Sequence, residues 1–174
     1  NELSWKSFYA DFLIDFKFGG DIYSGTNVRM VGAGTHRMTV EPNSGLGFVA
    51  EGREKVTVTG VDPEGTPFTK VLDATEVPGF WGAYSQLSDR FMYDASFIKL
   101  RQISVGYRLP RKLLDKTPLV SANLSFVARN LFLLYDRLEN VDPESNYNNT
   151  NGQGLDYFGA PQTRTYGLNL KATF

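Results

Sequence analysis

A chain of 174 residues is long enough for one domain with a real core, and its net charge of −1, with no basic run, argues against nucleic acid as a partner. It has no cysteine and one histidine, which excludes disulfide frameworks, thiolate metal sites and histidine clusters, so His36 reads as a polar loop residue. Aromatic residues make up 14% of the chain, an excess that suits strands meeting lipid or rings stacking on sugars.

No run approaches the roughly 18 apolar residues of a membrane helix. A membrane barrel stays open, because its strands are about 9 to 11 residues long and half polar, which keeps mean hydropathy low. The chain opens on Asn1-Glu2-Leu3, with no charged and apolar leader, so the expectation is a mature protein or a piece of a longer one.

Residues 4–18 form the clearest predicted strand. Phe8, Ala10, Phe12, Ile14, Phe16 and Phe18 share one parity, and Tyr9, Asp11, Asp15 and Lys17 the other, with Leu13 the single apolar exception. That row is long enough to cross a hydrocarbon layer, with Trp5 and Tyr9 where an interfacial girdle belongs. Residues 19–95 lose this periodicity among many glycines; a short helix is expected within Asn27 to Met38, and a hairpin around the turn Val61-Asp62-Pro63-Glu64-Gly65-Thr66-Pro67. So long a span must pack on something or line a functional surface.

Residues 96–109 form the second long strand, with Ile103, Val105, Tyr107 and Leu109 on one parity. Lys99 and Arg101 fall on that same apolar parity, tolerable only if this end projects above the bilayer. Pro110 ends the strand, residues 110–118 form a short basic turn, and residues 119–133 resume the alternation as the partner of an antiparallel hairpin. A second long loop covers 134–162, and the last strand, 163–174, sets Tyr166, Leu168, Leu170, Ala172 and Phe174 against Thr165, Gly167, Asn169, Lys171 and Thr173. Long loops on one side and a short turn on the other are the asymmetry of outer-membrane barrels.

The final strand, ending on an aromatic residue of its apolar face, resembles the C-terminal signature of bacterial outer-membrane barrels. Ala95-Ser96-Phe97-Ile98-Lys99-Leu100-Arg101 with Val105-Gly106-Tyr107-Arg108-Leu109-Pro110 resembles a segment near the end of SusC/RagA-type TonB-dependent transporters. Ala128-Arg129-Asn130-Leu131-Phe132, Val141-Asp142-Pro143-Glu144 and the closing strand follow in that family's order, and Gly60 to Pro67 is similar to its extracellular hairpin. The resemblance implies an all-β, antiparallel transmembrane β-barrel segment: the last four strands of a barrel of about 22 strands, with long extracellular loops and a lumen closed by a plug. It further implies residence in the bacterial outer membrane and import of oligosaccharides or peptides with energy from the TonB complex. The implied partners are the rest of the barrel and its plug, lipid, and a SusD-like surface lipoprotein.

Candidate residues follow from that frame. Asp11, Asp15, Lys17 and Arg129 take the lumen parity, Arg129 opposite Gln102 or Ser104, and Tyr166, Leu168, Leu170 and Phe174 carry the assembly signal. The loops hold Trp81, Tyr84, Phe91 and Tyr93 in one aromatic cluster and Tyr147, Tyr157 and Phe158 in another, suited to contact with a ligand or partner. With one His and no Cys no catalytic arrangement is evident, so an enzyme is not expected. No cofactor is called for; Asp136, Asn140, Asp142, Glu144 and Asp156 offer oxygen ligands for calcium, but at no recognisable spacing. The rival reading is a soluble or cell-surface β-sandwich that binds glycans. It would bury Phe8, Phe12, Phe16, Leu124, Leu168 and Leu170 between two sheets, whereas the barrel turns them outward.

Overall fold

The computed structural model describes residues 1–41, 47–145 and 153–174. In chain order these form β1 (Glu2–Trp5), β2 (Phe8–Lys17), β3 (Asp21–Ser24), α1 (Gly25–Gly32), β4 (Phe48–Ala50), β5 (Val56–Val61), β6 (Pro67–Leu72) and α2 (Val77–Tyr84). There follow β7 (Met92–Asp94), β8 (Phe97–Arg108), α3 (Arg111–Leu114), β9 (Ser121–Asp136), β10 (Leu155–Asp156) and β11 (Thr165–Thr173). The chain divides into two compact units: residues 1–20, 94–144 and 160–174, and residues 21–93 and 145–159. No helix among the described residues is long and apolar enough to cross a membrane.

The first unit is one antiparallel sheet in the order β1-β2-β8-β9-β11. The strand expected over 4–18 is two strands, because the chain reverses at Lys6, whose φ is 54°, so the sheet has five strands rather than four. Its register aligns the parities seen in the sequence. Trp5, Phe8, Tyr107, Leu124 and Leu170 lie side by side across the sheet, and so do Leu3, Ala10, Val105, Phe126 and Leu168. These apolar rows stay open: Phe8, Phe16, Leu124, Leu168 and Leu170 are exposed, and Phe12 is only half-buried. The sandwich reading required them covered by a second sheet.

On the opposite face Tyr9, Gly106 and Ser125 are neighbours, and here a glycine has a definite job. The Tyr9 ring lies over Gly106, where an added Cβ would overlap it. The Tyr9 hydroxyl donates to Asn123 Oδ1 at 3.1 Å and can accept from Asn123 Nδ2 at 2.9 Å, while Arg108 stacks on the ring 4.9 Å from its centroid. One aromatic side chain thereby ties three strands together and fills the gap that a strand glycine leaves.

β8 also explains the two cations that parity placed among apolar residues. Phe12 pairs with Ile103 but Ile14 pairs with Leu100, so between these pairs β8 carries one residue more than β2. This bulge reverses the faces: the apolar row passes from Ile103 to Leu100 and Ile98, and Lys99 joins the face of Asp15, its register partner. The expectation that Lys99 and Arg101 share the apolar face is therefore corrected. On β9 the matching irregularity contains Asn130, at φ 53°, whose Nδ2 donates to the Thr163 carbonyl at 3.2 Å; asparagine tolerates this left-handed conformation better than most residues.

The second unit turns the long aperiodic span into structure. β4, β5 and β6 form an antiparallel sheet containing the expected hairpin, and β10, β3 and β7 form another in which β10 runs parallel to β3. α1 overlaps the predicted helical region, and the Ser24 hydroxyl accepts from the Asn27 amide at 3.1 Å as its N-cap. α2 is hidden in the sequence by Pro78, Gly79 and Gly82, although Pro is tolerated in a first turn and Val77, Trp81 and Tyr84 keep a helical spacing. Ahead of it, Asp73 accepts from the Thr75 hydroxyl and the Thr75 and Glu76 amides, which holds its carboxyl below the usual range. The core gathers Val31, Phe48, Val56, Leu72, Val77, Trp81, Tyr84 and Phe91. His36 is buried rather than a solvated loop residue; its Nδ1 accepts from the Met38 amide at 3.1 Å.

Replacing Gly106 by valine forces Tyr9 off the sheet and should destabilise the fold by about 1–3 kcal/mol. The check is its heat-dependent mobility shift on gels. Gly106→Val should melt lower than wild type, and adding Tyr9→Ala should recover part of the loss.

Candidate functional site

The polar face of the first unit carries a connected charge cluster that joins the segments around Lys99–Arg101 and Asp142–Glu144. From β8, Lys99 Nζ donates to Asp142 Oδ2 at 3.1 Å, Glu144 Oε2 at 2.9 Å and Gln162 Oε1 at 3.4 Å, although this lysine is only 4% exposed. Arg101 donates from Nε and Nη2 to Asp15 Oδ2 at 3.0 and 2.8 Å, from Nη1 to Gln162 Oε1 at 3.2 Å, and also to Glu144 Oε1. Asp142-Pro143-Glu144 presents its two carboxylates together because the Glu144 amide donates to Asp142 Oδ1 at 3.1 Å, an Asx turn with proline at its second position. Two cations thus face three carboxylates, with Gln162 between them. A buried lysine is tolerable only when its donors are matched in this way.

Beside the cluster, Asp94 organises the entry to β8. Its Oδ1 accepts from the Ser96 hydroxyl and, at 2.8 Å, from the Ser96 amide, while Oδ2 accepts from Arg137 at 2.8 Å. These donors, the Ser96 hydroxyl foremost, hold the Asp94 carboxyl below the usual range. The Ser96 hydroxyl in turn accepts from the Gly19 amide at 2.8 Å, closing the connection from the end of β2.

The other expected polar residues behave unequally. Arg129 donates to Gln102 Oε1 at 3.1 Å, as the parity suggested. Asp11 sits beside Ser104 and Glu2 in register, and Lys17 is exposed beside Phe97. The assembly residues Tyr166, Leu168, Leu170 and Phe174 are open to solvent, Phe174 to 81%. Among the described residues no three His, Asp or Glu side chains come together as a metal site. Asp142 and Glu144 instead hold Lys99, and the fully buried Asp156 accepts from Ser24 at 3.0 Å and Ser145 at 2.8 Å.

The loop aromatics separate into core and surface. Trp81 and Tyr84, expected on a contact surface, are 2% and 8% exposed and pack edge-on against Phe48 at 5.1 and 5.3 Å. Tyr93 is half-buried against the same core, and Phe91 is inside it. Apolar area explains the correction, since one such ring contributes more by filling a core than by facing water, with edge-to-face pairs adding about 0.5–1.5 kcal/mol each. Tyr157 and Phe158 are exposed, in edge contact at 4.9 Å, and seated by the Phe158 amide donating to Thr26 Oγ1 at 2.8 Å. Tyr147 lies outside the described residues.

Replacing Lys99 by alanine leaves Asp142 without a cation and Glu144 with Arg101 alone, and breaking such a buried pair costs about 3–5 kcal/mol. Limited proteolysis should then cut within residues 137–144 in Lys99→Ala but not in wild type. The exposed pair Arg37–Glu41, at 70% and 51% side-chain exposure, supplies the control, since its loss should leave the pattern unchanged.

No family model matches the chain. It is 30% identical over 179 aligned residues to TonB-dependent receptor P3 of Formosa agariphila, an alignment covering 98% of this chain and 16% of that protein. Its fold matches that of the RagAB peptide importer in the closed-closed and open-open states, with a TM-score of 0.59 and 18% identity in each; 99% of this chain and 16% of that one are covered. The chain therefore spans a small part of the length of the proteins it matches. The sequence likeness identifies this chain with part of a TonB-dependent receptor, and the solved structures show that it shares the fold of part of RagAB.

Proposed function

We propose that this chain supplies barrel wall and extracellular loops to an outer-membrane nutrient importer. The observation that carries the reading is the alignment of apolar side chains across five strands on a face left open, with tyrosine, arginine, lysine and carboxylates on the other. Lipid is the solvent that suits the first face, and a wet lumen suits the second. In this reading β11 is the closing strand and its aromatic end the assembly signal. The second unit belongs to the extracellular loops, where it faces incoming oligosaccharide or peptide and a SusD-like lipoprotein, and the TonB complex acts through parts of the receptor beyond this chain. RagAB is a peptide importer, which supports the peptide alternative by analogy of fold.

The two faces of β11 give the test. Leu168→Arg on the apolar face should cost about 2–4 kcal/mol near the bilayer midplane and reduce the receptor recovered in outer-membrane fractions. Asn169→Arg, one residue on and on the other face, should insert normally, and deletion of Phe174 should slow assembly without changing the wall. Equal recovery of the two arginine variants would refute the lipid assignment.

A further inference from the structure

Among the described residues three glycines lie inside strands: Gly60 in β5, Gly106 in β8 and Gly167 in β11. Two of them are covered in the same way. Gly106 pairs with Tyr9 and Gly60 with Phe68 across antiparallel neighbours, and in each pair the ring lies over the glycine. An added Cβ would overlap the Tyr9 ring and come within 3.0 Å of the Phe68 ring. A strand glycine leaves a gap in the side-chain layer, and an aromatic residue directly opposite fills it. Gly167 is the exception. Its partner on β9 is Val127, an added Cβ would meet nothing within 4 Å, and the space above it is an open dent of about 270 Å³ lined by Val127, Arg129, Thr165 and Asn169 of the polar face. β11 is the margin of its sheet, so on its other side Gly167 has no strand among the described residues.

We infer that a strand from a part of the receptor outside this chain pairs with the free edge of β11 and sets an aromatic side chain, tyrosine by preference, over Gly167. The inference deepens the proposed role of β11 as closing strand and rests on it. The free edge presents unpaired amides and carbonyls, whose complement is another strand. This chain covers only 16% of the proteins it matches, which leaves ample chain to supply one. The preference for tyrosine comes from the surroundings of Tyr9. Its hydroxyl meets Asn123, two residues before Ser125, the partner of Gly106 on β9. The residue two before Val127, the partner of Gly167, is Ser125 itself. The Ser125 hydroxyl thus stands to a ring over Gly167 as Asn123 stands to Tyr9.

The experiment uses the full receptor and its heat-dependent mobility shift on gels. Gly167→Val should shift the melting temperature downward, as expected for Gly106→Val. Within this chain a valine at 167 meets nothing and suits a strand better than glycine, so without an outside neighbour the melting temperature would stay or rise. Alanine substitution, one at a time, of the aromatic residues on the strand that pairs with β11 should reveal one position that recovers part of the loss in Gly167→Val. A benzophenone side chain placed at Thr165, exposed on the same face, finds that strand with Gly167 unaltered. Its cross-link should fall on a strand with an aromatic residue opposite Gly167. An unchanged or raised melting temperature in Gly167→Val, no aromatic position that recovers the loss, or cross-linking to anything other than such a strand would overturn the inference. Those results leave the lipid assignment of the wall in place, since that assignment falls only with equal recovery of Leu168→Arg and Asn169→Arg.

Discussion

The constraint on which this structure depends is that a strand has two faces and a sheet must find a solvent for each. Here β2, β8, β9 and β11 turn phenylalanine, leucine and valine one way and tyrosine, serine, asparagine and charge the other, and no packing among the described residues hides the apolar side. Soluble antiparallel sheets also divide in this fashion, but they cover the apolar face with a second layer. An apolar face left open across five strands is stable only in an apolar surrounding, and in the proposed reading that surrounding is the bilayer. The same requirement governs the backbone: β1 and β11 are the edges of the sheet, and unpaired amides and carbonyls are not tolerated in hydrocarbon. In that reading, strands from elsewhere in a receptor are as necessary as the lipid.

Within that arrangement the bulge in β8 solves a local conflict. A strand with strict alternation would direct Lys99 and Arg101 into the apolar row, at a cost that depth in the membrane would decide. One added residue reverses the faces, and the cations meet Asp15 on a neighbouring strand and Asp142 and Glu144 on the following loop. The bulge and the acidic turn are thus two halves of one device. A bulge without the turn would bury an unpaired lysine, and a turn without the cations would gather repelling carboxylates. Two motifs far apart in sequence occur together for this reason.

Much of the wall was legible because its signal is local. Period-two alternation in residues 8–17, 97–108, 121–136 and 165–173 needs only neighbouring residues to be seen, and it located each strand to within a few positions. The failures have physical causes. The reversal at Lys6 occurs without Gly or Asn to mark it, so two strands read as one. The β8 bulge depends on pairing with β2 and β9, which parity along one strand does not contain. In the loops, tryptophan and tyrosine carry both a stacking face and a large apolar area, and composition does not say which is used. Trp81 and Tyr84 went to the core, whereas Tyr157 and Phe158 stayed outside. The helical spacing of Val77, Trp81 and Tyr84 was the sign that those rings share a buried face.

The second unit adds a different lesson about insertions between the strands of a sheet. Residues 21–93 and 145–159 are separated by a large part of the sheet sequence, yet they share one set of buried contacts, with Asp156 accepting from the cap serine of α1 and from Ser145. A fully buried carboxylate is costly unless its lone pairs are met, so these hydroxyls determine which loop segments can associate. The exposed Tyr157–Phe158 pair directly follows this anchor, with the Tyr157 ring lying where Gly25 leaves room for it. An aromatic surface held this way loses little conformational freedom when it meets a partner, and that preorganisation, more than the area of the rings, favours tight contact. The placement of this pair therefore originates in the buried polar contacts beneath it, just as the placement of the charge cluster originates in the bulge of β8.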